Sequence, residues 1–269
     1  MPLARLNGIR IHYHVDGQGD PLVMIMGFSA GRIGWAPQVP FFRNHYRVVT
    51  FDNRGTGKSD KPPGPYSTRM MADDTVRLMD FLGIEKAHVM GLSMGGMIAQ
   101  ELAIGHPDRV MKLVLACTYA TQDETSGSTM EQLGLWQLAP DKKVRAMIWL
   151  AFNSRFYRSI FAFLAAVGGR LMGASGGAGI VGQSEACRQH NTLDRLPLIT
   201  APTLVIVGTA DRIIKPVSSE VIAGRIPEAK LVRVEGGAHC FSLENRNVFN
   251  RKVLDFLRSD ALITPELDN

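Results

Sequence analysis

The stretch Ala87-His88-Val89-Met90-Gly91-Leu92-Ser93-Met94-Gly95-Gly96-Met97-Ile98-Ala99-Gln100 decides the fold. It opens as an apolar run, Ala87 to Met90, and closes as a helical pattern that begins near Met94 and continues to Gly105. Between them stands Gly91-x-Ser93-x-Gly95. A serine on so tight a strand-to-helix turn is strained, and glycines two positions to either side give strand and helix room to approach. The pattern alone is weak, but a strand before it and a helix after it make it specific. Strand, turn and helix together read as one βα unit of a parallel sheet.

Working outward, the same alternation recurs. Short, near-continuous apolar runs lie at Leu22 to Met26, Arg47 to Phe51, Met111 to Ala116, Thr203 to Val207 and Lys230 to Val234. Strands buried on both faces have this composition. Helical patterns with apolar residues three and four apart lie at Thr68 to Leu82, Pro216 to Arg225 and Leu243 to Arg258. Leu6 to Arg10 and Ile11 to Val15 alternate as half-buried antiparallel edge strands, with Asn7-Gly8 as a turn signal. The expected fold is therefore α/β, a mostly parallel sheet flanked by helices, with ligands at the C-terminal ends of the strands.

Between about Tyr119 and Leu196 the alternation stops. Amphipathic helices, Asp141 to Phe152 and Arg155 to Val167, replace it. The reading is a core of residues 1–118 and 197–269, with a helical cap, 119–196, inserted between two strands. Within the cap, Gly168 to Gly182 is glycine-rich and costly in backbone entropy to order, which predicts a mobile linker or lid hinge.

Composition bounds the function. At 269 residues and 45% hydrophobic content, one large core is expected. The net charge is +5, but the basic residues are dispersed and not interleaved with aromatics, which argues against nucleic acid as a partner. Cys117, Cys187 and Cys240 are too few and too irregularly spaced for a disulfide framework or a zinc site. With no apolar run near the ~20 residues of a bilayer span and no signal-peptide pattern, a cytoplasmic protein without membrane partners is expected. Monomer and homodimer are equally compatible with this composition.

A serine hydroxyl is a poor nucleophile at neutral pH, so Ser93 calls for a base and an orienting carboxylate, in the chain order serine, acid, histidine. Asp211 follows the run Thr203 to Val207 in Gly208-Thr209-Ala210-Asp211, and His239 follows the last strand in Glu235-Gly236-Gly237-Ala238-His239. His190 precedes Asp211 and breaks the order. His12, His14, His45, His88 and His106 read as surface or packing residues, and His12-x-His14 has no third metal ligand in view. For a developing oxyanion, Met94 supplies one backbone N–H at a helix N-terminus. Phe28, in Met26-Gly27-Phe28-Ser29, supplies the second, with Ser29 as the fallback donor and a substrate contact. In the cap, Met130, Trp136, Leu138, Trp149, Phe152, Phe156, Phe161 and Phe163 offer an apolar lining, with Trp136, Trp149 and Phe152 as the substrate-binding candidates. The cap has no basic cluster, which favours neutral esters, although Arg155, Arg158, Arg170, Arg188 and Arg195 are available to a carboxylate.

Two motifs fail on inspection. Gly55-Thr56-Gly57-Lys58-Ser59 lacks the first glycine of a phosphate cradle, whose place is taken by Asp52. Gly177-Ala178-Gly179-Ile180-Val181-Gly182 matches a dinucleotide fingerprint letter for letter, but no strand precedes it.

From about Leu6 to Leu257 the chain resembles the α/β-hydrolase superfamily. The carriers are the turn at Ser93, the segment Phe51-Asp52-Asn53-Arg54-Gly55-Thr56-Gly57-Lys58-Ser59-Asp60, and the Asp211 and His239 loops. Lys61 to Tyr66, Gly91 to Gln100 and His190 to Leu196 look most like carboxylesterases and 3-oxoadipate enol-lactone hydrolases. The resemblance implies a cofactor-free, metal-free hydrolase of small-molecule esters or lactones with the triad Ser93, Asp211 and His239. Carboxylesterase is the first reading; a lactonase or a cofactor-free perhydrolase shares the triad. Many relatives carry His-Gly where this chain has Met26-Gly27, which leaves open what fixes that loop. Ser93 argues against the aspartate-nucleophile cousins, and Leu92, where carbon–carbon hydrolases often have Asn, argues against that chemistry.

Overall fold

A computed structural model describes residues 2–6, 8–122 and 129–259. Strands β1 (Leu3–Leu6), β2 (Ile9–Asp16), β3 (Pro21–Ile25), β4 (Arg47–Phe51), β5 (Ala87–Leu92), β6 (Val110–Ala116), β7 (Thr203–Gly208) and β8 (Lys230–Val234) form one sheet in the order β1-β2-β4-β3-β5-β6-β7-β8. β1 and β2 are antiparallel, β2 is antiparallel to β4, and every pair from β4 to β8 is parallel. The six apolar runs are six of these strands. The edge hairpin differs from the sequence reading: the chain turns at Gly8, φ +78°, and all of Ile9–Asp16 is a single strand. Asn7 lies outside the described residues.

The helices are α1 (Val39–Phe42), α2 (Thr68–Phe81), α3 (Met94–Gly105), α4 (Thr129–Gln132), α5 (Pro140–Ala151), α6 (Arg155–Gln189), α7 (Pro216–Arg225), α8 (Phe241–Glu244) and α9 (Arg246–Arg258). The last expected helix is broken at Asn245 into α8 and α9. Side chains alternate across the sheet. Val23, Ile25, Val89, Leu113, Leu115 and Val205 enter one core with α2 and α3, while Leu22, Met24, Met90, Val114, Leu204 and Ile206 enter a second with α9. Burial on both faces is why these strands read as continuous apolar runs. Among the described residues, no helix is long and apolar enough to cross a membrane.

Helices α4, α5 and α6 all lie between β6 and β7. The glycine-rich segment is not the linker that its composition predicts: α6 runs 35 residues through it. Two of its glycines serve close packing. A Cβ on Gly179 would stand 1.9 Å from the carbonyl oxygen of Gly55, and one on Gly182 would meet the Tyr66 ring at 2.6 Å. The helix backbone therefore rests directly on the loop after β4. The close approach that a missing side chain permits outweighs the entropy cost of glycine.

β3 lies between β4 and β5, so the chain leaves β3 toward one side of the sheet and later returns on the other. The loops after β3 and β5 diverge at this switch point and open a crevice. Pairings of Ile25 with Gly91, Leu92 with Ala116, Ala116 with Ile206 and Gly208 with Val234 align the strand ends. The residues that follow each of them share one edge.

Candidate active site

Ser93 stands at that edge with φ +57° and ψ −121°, between β5 and α3. The strain is held in place from several sides. Ser93 N–H donates to Ala116 O at 2.8 Å, and Ser93 O accepts from Gly96 N–H at 2.8 Å and Thr118 Oγ1 at 2.9 Å. A Cβ on Gly91 would stand 2.2 Å from Gly95 O, and one on Gly95 2.0 Å from Ile25 O. The turn thus requires both glycines of the motif. A residue in so rare a conformation persists only where its surroundings over-determine it.

Asp211 and His239 meet through Oδ2 and Nδ1 at 2.7 Å, with side chains 0% and 5% exposed. The other Asp211 oxygen, Oδ1, accepts the backbone N–H groups of Ile213 and Ile214 at 2.8 and 3.0 Å, which fixes the carboxylate in the loop after β7. Ala116 to Thr118 link the pair to the serine. Ala116 and Thr118 bind the backbone of Ser93, and Cys117 Sγ lies within 4.8 Å of an Asp211 oxygen and a His239 nitrogen. Burial, and then the Asp211 carboxylate, hold the Cys117 thiol well above its ordinary range, so it stays protonated. Ser93 Oγ makes no hydrogen bond among the described residues; such contacts often tighten only when substrate is bound.

The loop after β3 answers the question posed by Met26. Asn53 Nδ2 donates to Met26 O at 2.9 Å, and Thr56 Oγ1 donates to Ser29 O at 3.1 Å. Gln183, fully buried on α6, accepts the Ser29 N–H at 2.8 Å and donates to Arg54 O at 2.8 Å. Three side chains therefore hold the loop. Ser29, with φ +54°, spends its N–H on Gln183 and is excluded as the fallback donor. Phe28 N–H donates to no group among the described residues, and Met94, first in α3, has no intrahelical acceptor for its N–H.

A cavity beside Ser93 is lined by Phe28, Met97, Tyr119, Met130, Trp136 and Cys187, together with Met147, Ile213 and Ile214. Of the substrate-binding candidates, only Trp136 lines it. Trp149 is 63% exposed, with the Arg158 guanidinium 4.7 Å from its ring centre. Phe152 is buried away from the cavity in a stack with Phe161, 4.9 Å between ring centres. Helix α5 turns Trp149 off the cavity and places Lys143, Met147 and Ala151, four residues apart, on its inward face, while Phe152 follows the helix in extended conformation. A lysine on the buried stripe of a helix is an unusual signal that the sequence carried. Met97 and Tyr119, which belong to the core side, carried no such signal.

The chain belongs to the alpha/beta hydrolase fold family, whose model matches residues 20–246. It is 30% identical over 259 residues to a putative carbamate hydrolase, RutD, of Azorhizobium caulinodans, covering 95% of this chain and 98% of the relative. It is 31% identical over 264 residues to a putative non-heme bromoperoxidase, BpoC, of Mycobacterium tuberculosis, covering 93% and 98%. Among solved structures, the enol-lactonase from Burkholderia xenovorans LB400 superposes with a TM-score of 0.84 at 29% identity, covering 96% of this chain and all of that one.

Proposed function

We propose that the chain is a serine hydrolase that cleaves carboxylic esters or lactones through an acyl-enzyme on Ser93. The observation that carries this reading is the strained serine, with its hydroxyl uncommitted, on the same strand edge as the buried Asp211–His239 pair. His239 takes the Ser93 proton as the hydroxyl attacks the substrate carbonyl. Asp211 fixes the tautomer that leaves Nε2 free to do so and stabilises the imidazolium. The N–H groups of Phe28 and Met94 receive the oxyanion. His239 then protonates the departing alkoxide and activates the water that releases the acid. A lactone follows the same path, with its alcohol tethered to the acyl group.

The names of the relatives fit this chemistry: carbamates and enol-lactones are both opened at an acyl carbon. The bromoperoxidase relative favours a second reading, in which hydrogen peroxide in place of water takes the acyl group from Ser93 to give a peracid. Peroxide-dependent bromination in acetate buffer tests it.

Hydrolysis of p-nitrophenyl esters of increasing acyl length tests the main reading. We expect Ser93→Ala and His239→Ala each to lose at least ~10³-fold in kcat. Substantial residual turnover in Ser93→Ala would sink it.

A further inference from the structure

Gln183 stands on α6, far along the chain from the two loops that it joins. Its side-chain amide is fully buried and uses both ends: Oε1 accepts the Ser29 N–H of the loop after β3, and Nε2 donates to Arg54 O of the loop after β4, each at 2.8 Å. The helix brings it there because Gly179, one turn earlier on the same face, lets the α6 backbone lie on Gly55. Arg54 is a fixed point. Its guanidinium forks onto the buried Asp74 carboxylate of α2 at 2.5 and 2.6 Å. Gln183 therefore ties Ser29 to a part of the fold that does not depend on the loop itself.

What Gln183 holds is the peptide that follows Phe28. The Phe28 N–H belongs to the peptide between Gly27 and Phe28, and its direction is set by the peptides on either side. The one before is held through Met26 O, which accepts from Asn53 Nδ2 at 2.9 Å, and the one after through the Ser29 N–H on Gln183. Ser29 also lies in the left-handed region, φ +54°, a conformation that needs outside support in a residue other than glycine. Gly27 sits against the nucleophile: a Cβ there would stand 3.1 Å from Leu92 O and 3.2 Å from Ser93 Cβ. A glycine next to the aimed N–H leaves that peptide free to rotate unless its neighbours are pinned. From the insertion, Trp136 adds an edge-on contact to the Phe28 ring, 5.5 Å between ring centres.

We propose that Gln183 is a positioning residue: its hold on the Ser29 N–H keeps the Phe28 N–H aimed at the oxyanion that forms beside Ser93, an inference that rests on Ser93 being the nucleophile. A donor aimed before the charge appears needs no reorganisation when the charge forms, so the aim matters to the rate and little to the binding of the uncharged ester. The insertion thereby takes part in the reaction and does more than wall the cavity. The Phe28 donor is in place only when α6 is seated on the loops after β3 and β4.

Gln183→Met, close in volume and unable to make either bond, reads this with p-nitrophenyl acetate as the substrate. We expect kcat to fall about 10- to 100-fold, with KM within about threefold of wild type. Phenylboronic acid supplies the second readout. Ser93 Oγ adds to the trigonal boron while His239 takes the hydroxyl proton, and no bond to boron breaks, so the adduct is tetrahedral and negative like the reaction's intermediate. Its inhibition constant should rise by the factor that kcat/KM loses. If Gln183→Met does not fold, judged by circular dichroism, Gln183→Asn, one methylene too short to bridge both loops, takes its place with the same expectation. Unchanged kinetics, a KM increase at unchanged kcat, or a kcat loss that leaves boronate inhibition untouched overturns the proposal and leaves the hydrolase reading standing. A wild type that neither cleaves the ester nor binds the boronate overturns that reading, and the assignment of Gln183 with it.

Discussion

His239 and Asp211 meet at 2.7 Å on the loops after β8 and β7, and His12 and Asp52 meet at 2.9 Å between β2 and the end of β4. Both pairs are buried, and each carboxylate accepts two further backbone N–H groups: Ile213 and Ile214 on Asp211, Arg32 and Lys58 on Asp52. Each pair even has a serine near it. Ser59, however, spends its hydroxyl on structure, accepting from His12 N–H and donating to Asp52 O. Among the described residues, Ser93 is held through its backbone alone, and its hydroxyl has no partner. A buried His–Asp contact is therefore not a catalytic signature by itself. The difference lies in a serine whose backbone takes the strain and in a cavity beside it.

Substitutions on the two pairs should separate chemistry from stability. Asp211→Asn keeps the volume but favours the wrong imidazole tautomer, and we expect kcat to fall by about 10⁴-fold with p-nitrophenyl acetate as the probe. Thermal unfolding should move far less than activity does. A comparable loss of activity from Asp52→Asn would break the distinction.

His190 sharpens it, as a buried imidazole with no carboxylate partner among the described residues. Thr68 Oγ1 lies 2.9 Å from Nδ1 and Thr192 Oγ1 3.3 Å from Nε2, and burial pushes the pKa down to about 3. At neutral pH the group is uncharged in both the folded and unfolded chains. As pH falls below the ordinary histidine value of 6.5, the unfolded chain takes up a proton that the folded one refuses. Stability is therefore lost from about pH 6.5 down toward pH 3. Chemical denaturation across this range should show a shallower acid loss in His190→Asn than in the wild type; identical slopes would remove His190 as the cause.

The smallest effect is expected at His12. Replacing it with alanine leaves Asp52 short of one donor and should cost about 1–3 kcal/mol in stability, with kcat within about threefold of wild type under conditions where the protein stays folded. A kcat loss near that of His239→Ala would show that the second pair acts in catalysis.

The legibility of each feature followed the range of the interaction behind it. The turn at Ser93 was legible because its strand, strained serine and glycines are contiguous, and the structure needs each glycine for a contact with backbone only ångströms away. Strands β3 to β7 were legible because burial on both faces leaves an apolar run, whereas β8, at the sheet edge, is largely part-exposed and was legible only from its apolar residues. The course of α6 was not: Gly179 and Gly182 look like linker residues until Gly55 and Tyr66, more than a hundred positions earlier in the chain, are seen against them. The same distance hid Gln183, whose partners are at Ser29 and Arg54. Trp149 and Phe152 were misjudged because hydrophobicity says that a side chain prefers burial but not against what.

By itself, then, the sequence determined the parallel sheet, the strained turn at Ser93 and the order in which Asp211 and His239 follow it, since period, composition and chain order encode local conformation. Only the tertiary structure decided which residues of the β6–β7 insertion line the cavity beside the serine and what holds the loop after β3. Those depend on contacts between segments far apart in the chain, where geometry and desolvation decide the outcome.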